Sequence, residues 1–349
     1  MLYSLDEICL IPTAISDVEH RGDVNVFTNK NNYPIFTAPM ASIVDDSNYQ
    51  TIKDHKLNTI IPRSVPWESR FKHISIGDWV AIGFKEAEWL LKNLKEINDG
   101  HKVRLCIDQA DGHMKNLLTL CKQFKDKFGN KIKLMTGNIA NPFTYRHYAM
   151  VGVDYIRVGI GGGNVCTTSV QTGMHYPMGS LLTKLREEKE FVKKAIELKA
   201  SYKSVPKVIA DGGFKNIKQC VTALALGADF VMLGEILAKS EEACGETRPI
   251  DYKKPHLGYE REYFGMSTEH AQELINEASL FKQENFTPKH SEGQYKWIQI
   301  GYKLSDWLGD FDHALRSSMS YAGAFRLDQY IGKVNWDVMT PMAYHSFMK

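Results

Sequence analysis

The sequence lacks the features that mark membrane, secreted and nucleic-acid-binding proteins. No apolar run approaches the roughly 18 residues that a transmembrane helix needs. The first residues include acidic side chains and no basic segment, which argues against a secretory signal and predicts a cytoplasmic protein. The net charge is only +2 and the basic residues are dispersed, so neither a nucleic acid nor a membrane is expected as a partner.

Cysteine pairs and histidine clusters are also missing. The 6 cysteines are scattered and none belongs to a Cys-x-x-Cys pair, so we expect free thiols in a reducing compartment and no structural zinc. There is no internal repeat and no low-complexity tract. The hydrophobic content of 43% and the charged content of 24% are typical of a globular protein. We therefore predict a single domain over residues 1–349.

Short and nearly continuous apolar runs recur along the chain, as expected of strands that are buried on both faces. These runs lie at residues 33–40, 57–64, 78–84, 103–109, 132–139, 154–160, 207–213 and 229–235. Helical patterns follow several of them, at 85–98, 113–128, 141–151, 186–200 and 215–226. The alternation predicts an α/β protein built as a (β/α)8 TIM barrel, with an open, doubly wound sheet as the alternative.

Some segments depart from this alternation. After the second strand the helical pattern is weak, so residues 66–77 are predicted to form only a short connection. The connection at 160–185, after the sixth strand, is long and rich in Gly, Thr and Ser. The region 245–300, after the eighth strand, is polar and irregular. Because such barrels place lids and catalytic residues after the carboxyl ends of their strands, we predict a catalytic loop and a flap-like insert there.

The strongest chemical motif is GIGGGNVCTT, at residues 159–168. Its glycines allow positive φ angles, its amides could surround an anion, and its carbonyls could surround a cation. Cys166 stands among these backbone dipoles, where a thiol is suited to nucleophilic attack, and Thr168 supplies a hydroxyl nearby. The alternative is a flexible glycine loop that contains an incidental cysteine.

Charged residues stand at the ends of other strands. Asp211 precedes two glycines after the seventh strand and could bind a ribose diol or simply cap a helix. Gly234 opens a helix after the eighth strand, and these two strand ends form the usual phosphate site of such barrels. Asp108, after the fourth strand, could bind a ligand or cap a helix, and Arg157 is expected to point to a barrel partner or to such acids. Glu292 is either a general acid or a solvated loop residue.

Taken together and in order, these motifs resemble the family of IMP dehydrogenase and GMP reductase, from about residue 6 to residue 345. The matching segments are DEICLIP near the start, APM (38–40), GN (137–138), GIGGGNVCTT, ADGG, GADFVMLG (227–234), CGE (244–246), YFGMS (263–267), SEG (291–293) and LRSSMSYAGA (315–324). The resemblance implies a TIM-barrel oxidoreductase that assembles as a homotetramer.

The resemblance also implies roles for individual residues. Cys166 would bond covalently to C2 of the purine, while Thr168 and Glu292 would handle the leaving or attacking group. The substrate site would comprise Met40, Asn164, Asp211, Gly212, Gly213, Gly234, Glu235, Tyr263, Gly265, Met266 and Ser267. The cofactor side would comprise Asp108, Gln109, Ala110 and Asn138. A K⁺ ion would be held by the carbonyls of Gly161, Gly163 and Cys166.

Two absences favour the reductases within this family. The connection between the second and third strands is too short for the tandem CBS regulatory module that many of the dehydrogenases carry. Between Gly265 and Glu292 there is no arginine that could activate a water molecule. The resemblance therefore implies NADPH-dependent reductive deamination of GMP to IMP and ammonia. The alternatives are an IMP dehydrogenase without the module, a relative that acts on another purine nucleotide or nucleoside, and a purine-binding protein without turnover.

Several positions depart from the family pattern. Ala41 stands where the family has an acidic residue, a Pro-Arg-Ser segment around Arg63 replaces a basic one, and Asn164 replaces a serine. Glu235 stands where the family has Ser or Gly beside the substrate phosphate. A carboxylate there would repel a phosphate unless it turned away or paired with a cation. The sequence thus predicts either an unphosphorylated or modified purine, or a phosphate that is bound differently.

Overall fold

A ring of parallel strands surrounded by helices forms the centre of the protein. The structure is a computed structural model that describes residues 2–95 and 102–347. The strands are β1 (Ile8–Ile11), β2 (Ile35–Thr37), β3 (Ile60–Ile61), β4 (Trp79–Ile82), β5 (Val103–Asp108), β6 (Ile132–Ile139), β7 (Tyr155–Val158), β8 (Lys207–Asp211), β9 (Phe230–Leu233), β10 (Thr247–Pro249), β11 (Tyr259–Phe264), β12 (Tyr295–Gln299) and β13 (Asn335–Val338). The α-helices are α1 (Tyr49–Asp54), α2 (Trp67–Ile76), α3 (Phe84–Asn93), α4 (Lys115–Phe128), α5 (Thr144–Val151), α6 (Thr168–Thr172), α7 (Met178–Glu197), α8 (Ile217–Leu226), α9 (Glu235–Ala238), α10 (Glu269–Ala278), α11 (Leu304–Tyr321), α12 (Leu327–Tyr330) and α13 (Pro341–Phe347).

The eight parallel strands β2 to β9 close into a barrel. Their order in the sheet is β2-β9-β8-β7-β6-β5-β4-β3. The two ends of the sheet meet at a parallel bridge between Phe36 and Asn58. There the Thr37 amide donates to the Asn58 carbonyl at 3.1 Å, and the Asn58 amide donates to the Ile35 carbonyl at 3.0 Å. The (β/α)8 barrel is therefore confirmed, and the open sheet is excluded.

Aromatic rings fill the end of the barrel where its strands begin. Trp79, Tyr155 and Phe230 are the first residues of β4, β7 and β9, and Phe36 lies in β2. The ring centroids of Phe36 and Phe230 are 5.0 Å apart, and those of Trp79 and Tyr155 are 5.2 Å apart. Such close tilted and edge-on contacts make a packed core rather than a pore. A ligand can therefore enter only from the opposite end, where the strands finish.

The connection after β3 contains a helix that the sequence interpretation missed. Instead of a short link, residues 67–76 form α2, which has 10 residues. Arg70 on its inner face is fully buried, and it donates to both oxygens of Glu86 on α3, at 2.8 and 2.7 Å. A charged side chain at a core position interrupts the apolar periodicity, which is why the helical pattern looked weak.

Removing the charge of Glu86 should destabilise the fold strongly. Burial alone would raise the pKa of Glu86, but the hydrogen bonds from Arg70 hold that pKa below its ordinary value. Glu86→Gln leaves Arg70 buried without a counter-ion, so we expect the free energy of unfolding to fall by about 3 kcal/mol or more. Urea denaturation followed by circular dichroism measures the loss. Glu88→Gln, on the exposed face of the same helix, is the matched control, and an equal effect of both changes would contradict the expectation.

The insert after β9 is more regular than the sequence suggested. Residues 245–300, expected to be irregular, contain the antiparallel sheet β10-β11-β12 and the helix α10. Arg248 on β10 faces Glu260 on β11, with Nε 2.6 Å from Oε1, and its guanidinium covers the ring of Trp297 at 4.0 Å. The segment is polar in composition because charged side chains pair across its strands, and this pairing is part of a regular sheet.

Other boundaries of the predicted elements also differ from those in the structure. Helix α7 begins at Met178 rather than at residue 186, so the loop after β7 is shorter than predicted. At Gly179 a Cβ would lie 2.8 Å from the Ser4 carbonyl oxygen, so the first turn of α7 packs directly on the N-terminal segment. Residues 96–98 of the predicted helix 85–98 lie outside the described residues. Across the described parts of the chain, no helix combines the length and apolar character needed to cross a membrane.

Candidate active site

A cavity of about 660 Å³ opens where the barrel strands finish. It is lined by the loop after β7, by the turns after β8 and β9, and by residues of the insert. Every residue proposed from the sequence for the catalytic, substrate, cofactor and cation sites lines this cavity. The structure therefore brings the whole predicted set together, while their individual roles stay predictions.

Cys166, Thr168 and Glu292 form a chain of hydrogen bonds in the cavity. The thiol of Cys166 donates to Oγ1 of Thr168 at 3.3 Å, and Thr168 Oγ1 donates to Oε2 of Glu292 at 2.6 Å. A hydroxyl can accept one proton while it gives up another, so this arrangement connects the thiol of Cys166 to the carboxylate of Glu292. It can remove the thiol proton and return a proton to a leaving group beside the sulfur.

Backbone hydrogen bonds fix the two halves of this chain relative to each other. The Thr167 amide donates to the Glu292 carbonyl at 2.8 Å, and the Gln294 amide donates to the Val165 carbonyl at 2.9 Å. Cys166 and Gly293 form an antiparallel bridge. The insert thus adds a strand-like segment to the cysteine loop, and that pairing sets the position of Glu292.

Asp211 lies at the centre of a polar cluster at the end of β8. Its Oδ2 accepts from Asn138 Nδ2 at 2.8 Å, from Arg157 Nε at 3.1 Å and from Arg157 Nη2 at 2.9 Å. Arg157 also donates to Asp108, as the sequence interpretation anticipated. Burial alone would lower the pKa of Arg157, but Asp211 and Asp108 raise it well above its ordinary value. The guanidinium therefore holds both carboxylates, and Asp211 Oδ1 remains to accept from a ligand hydroxyl.

The predicted cofactor side of the cavity contains unsatisfied polar atoms. Within the described residues, Oδ1 of Asn138 and Nε of Arg63 are buried without a hydrogen-bond partner. Buried polar atoms of this kind normally find a partner. Asn138 and Arg63 line the cavity together with Asp108, Gln109 and Ala110, so the cavity wall has the donor and acceptor groups that the carboxamide of a nicotinamide ring needs.

The carbonyls predicted for a K⁺ ion lie in the loop after β7. The Gly161 carbonyl accepts from Ser169 Oγ at 3.1 Å, and the Gly163 carbonyl accepts from the Cys166 amide at 3.0 Å. Each carbonyl oxygen has a second lone pair, so these bonds are compatible with a cation. The K⁺ site stays a prediction.

Close backbone contacts explain two of the glycines in the cavity wall. A Cβ at Gly213, where φ is +83°, would lie 2.7 Å from the Gly162 carbonyl oxygen. A Cβ at Gly234 would lie 2.8 Å from the hydroxyl oxygen of Tyr263. Gly213 lets the cysteine loop pack on the turn after β8, and Gly234 leaves room for the Tyr263 hydroxyl beside β9.

Glu235, the residue that departs most from the family pattern, is held by cations. Its Oε1 lies 2.9 Å from Nζ of Lys239, and its Oε2 lies 2.9 Å from Nζ of Lys296. Asn164 Nδ2 donates to the same Oε2 at 2.8 Å. Burial alone would raise the pKa of Glu235, but these partners lower it to about 2. Of the two arrangements considered for a carboxylate here, pairing with a cation is the one that the structure has.

Sequence reasoning missed several polar residues of the site. Arg63 was noted only as a departure from the family, and Gln272 and Lys289 of the cavity wall were not singled out. Lys239 could have been found, because it follows Glu235 at the i,i+4 spacing of a helical ion pair. Lys296 could not, because its approach to Glu235 depends on how β12 packs against the barrel.

A parallel barrel with hydrogen-bonded Cys, Thr and Glu side chains at its open end is typical of an enzyme. Comparison with known proteins identifies the class of enzyme. A family model described as IMP dehydrogenase / GMP reductase domain matches residues 76–346. The chain belongs to this family and is an oxidoreductase.

Curated relatives extend the similarity over nearly the whole chain. A protein named GMP reductase from Enterococcus faecalis is 26% identical, and the match covers 97% of this chain and 96% of that protein. GMP reductases from Staphylococcus epidermidis and Helicobacter pylori are each 27% identical; the first match covers 92% of both chains, and the second covers 97% of this chain and 96% of the relative.

Proposed function

We propose that this protein catalyses the NADPH-dependent reductive deamination of GMP, or of a close guanine analogue, to the hypoxanthine compound and ammonia. The chain of hydrogen bonds from Cys166 through Thr168 to Glu292 is the observation that carries the proposal. In sum, the guanine compound, NADPH and two protons give the hypoxanthine compound, an ammonium ion and NADP⁺. The three relatives named GMP reductase support this direction of reaction.

Cys166 performs the covalent step. Its sulfur attacks C2 of the guanine ring, and the thiol proton passes to Thr168 as the proton of Thr168 passes to Glu292. The C2–N bond then breaks, and Glu292 returns its proton through Thr168 so that the amine leaves as ammonia. The purine remains bonded to sulfur until a hydride reaches C2 and the thiolate is released.

NADPH supplies that hydride when it is bound. Asn138 and Arg63, which both line the cavity, would bind the carboxamide of the nicotinamide. Asp108, Gln109 and Ala110 would form the surface on which the ring rests. The ion pairs from Arg157 to Asp108 and Asp211 keep the cofactor side and the ribose side of the cavity at a fixed distance.

Water must be kept from the covalent purine, because its attack would give the dehydrogenase product instead. The segment between Gly265 and Glu292 contains no arginine to serve as a base for water. Lys289 and His290 line the cavity there. Binding of K⁺ and assembly as a homotetramer are further expectations from the family resemblance.

Two assays of the purified protein test the proposal. The first mixes it with NADPH and either GMP or guanosine, and the second mixes it with NAD⁺ and either IMP or inosine. Nicotinamide absorbance and released ammonia are followed in both. We expect NADPH to be consumed in the first assay, with one ammonia released per NADPH. A response confined to the second assay would assign the protein to the dehydrogenases, and turnover that survives Cys166→Ala would exclude the covalent mechanism.

A further inference from the structure

Glu235 lines the part of the cavity where barrel enzymes usually bind a phosphate. From this we propose that the substrate is a purine nucleoside with an uncharged 5′-hydroxyl, not a nucleoside 5′-monophosphate. Glu235 accepts a hydrogen bond from that hydroxyl. The inference rests on the proposed function, because it concerns the other end of the same substrate.

The location follows from the barrel itself. In TIM barrels a phosphate is commonly bound by the loops after the seventh and eighth strands. Here these strands are β8 and β9, and Glu235 follows β9 after the single residue Gly234. Glu235, Gly212 and Gly213 all line the cavity. A carboxylate therefore stands at the position where a phosphate would normally be held.

The carboxylate is built into the site and is not a loose side chain. Only 14% of its surface is exposed, and both of its oxygens are engaged. With a pKa of about 2, it stays ionised at every pH at which the enzyme would work. Because its folded-state pKa is below the ordinary value, the stabilisation it provides is present above that value and is lost only in strong acid.

The cations near Glu235 form ion pairs with it. Lys239 and Lys296 each place Nζ 2.9 Å from one of its oxygens, and Asn164 directs its amide to the same carboxylate. A phosphate could share the remaining N–H groups of these residues, but it would then lie against the Glu235 carboxylate. That would leave two anions in contact in a half-buried place, which is strongly unfavourable. The cluster therefore accepts a neutral hydrogen-bond donor and rejects a dianion.

A 5′-hydroxyl suits this place. The carboxylate can accept about four hydrogen bonds in all, and the described partners use three of them. One acceptor position remains, and a hydroxyl donates one proton. Asp211 Oδ1, further along the cavity wall, remains for the hydroxyls of the ribose ring. The two carboxylates thus match the hydroxyl pattern of a nucleoside.

Calorimetric titration of the wild-type protein, without cofactor, tests the inference directly. The ligands are guanosine, GMP and free guanine. We expect guanosine to bind at least about tenfold more tightly than GMP, because the phosphate is repelled. Guanosine should also bind more tightly than guanine, because the sugar hydroxyls add hydrogen bonds. Tighter binding of GMP, or equal binding of guanine and guanosine, overturns the inference.

Glu235→Ser removes the carboxylate and releases its two lysines. We expect the affinity for GMP to rise at least about tenfold while that for guanosine falls, so that the preference reverses. Glu235→Gln, which keeps the shape of the side chain, should raise GMP affinity in the same direction if the serine variant does not fold. Glu187→Ser is the matched control, since Glu187 is 64% exposed and is also paired with a lysine. No change in preference in either Glu235 variant contradicts the inference.

Failure of the inference and failure of the proposed function can be told apart. If GMP both binds better and consumes NADPH faster than guanosine, the nucleoside inference is wrong and reductive deamination stands. If guanosine binds preferentially but no NADPH is consumed in its presence, the nucleoside inference stands and the proposed reaction is wrong. If none of the three ligands binds, both are wrong.

Discussion

Cys166→Ser lowers the rate of NADPH consumption by at least about 10⁴-fold and leaves the affinity for the guanine substrate within about threefold of wild type. The loss is large because serine at this position cannot provide a thiolate, and the covalent purine then does not form. Steady-state absorbance measures the rate, and calorimetric titration measures the affinity. Mass spectrometry of a quenched reaction should show the purine adduct on the wild-type protein and not on the Cys166→Ser variant.

Cys9→Ser is the control for this change. Cys9 is also a free and partly exposed thiol, but it lies on β1, away from the cavity. We expect it to have wild-type activity and to form the same adduct. Residual turnover of Cys166→Ser above about 1% of wild type would mean that the reaction proceeds without a covalent bond to this residue.

Glu292→Gln lowers kcat by about 10²- to 10³-fold, with a smaller change in KM. The amide can still accept a hydrogen bond from Thr168, so the geometry survives, but it can no longer take up and return a proton. Thr168→Val breaks the same path at its middle. The double variant should therefore be about as slow as the slower single variant, because both changes remove one function. Rate constants from single-turnover experiments provide the comparison.

Glu269→Gln, an exposed change on α10 in the same insert, is the matched control for Glu292. It should leave kcat unchanged. If the effects of Thr168→Val and Glu292→Gln multiplied in the double variant, the two residues would act independently, and the hydrogen bond between them would not be the route of the proton.

The barrel was predictable because its strands are buried on both faces. Runs such as Ile132–Ile139 are read directly from the sequence, and β6 has those same limits. The helix α2 was not predictable in the same way, because Arg70 stands where an apolar residue would mark its inner face. Its partner Glu86 comes from the next helix, and no local pattern connects the two. The helix α2 is therefore stabilised by a tertiary ion pair that hydrophobic periodicity cannot reveal.

The site was predictable to a similar degree. The carboxyl ends of parallel strands meet at one end of a barrel, so Asp108, Cys166 and Asp211 had to share a cavity once the barrel was recognised. The proton path also needed Glu292, which reaches Cys166 only through pairing of the insert with the cysteine loop. The partnership of Lys296 with Glu235 depends on the placement of β12. Glu235 could be identified from the sequence as a departure from the family pattern, but its pairing with Lys239 and Lys296 was established only by the structure.

The backbone pairing between the cysteine loop and the insert has a consequence for motion. The amides of Thr167 and Gln294 are donors on opposite sides of this backbone pairing. Each amide hydrogen can exchange with deuterium only when the two paired segments separate. If the two segments separate as one unit, both amides exchange at a single rate, and a bound purine slows both equally. Cys166 and Glu292 would then be available together or not at all, so that no population of the enzyme could attack the purine without also being able to protonate the leaving amine.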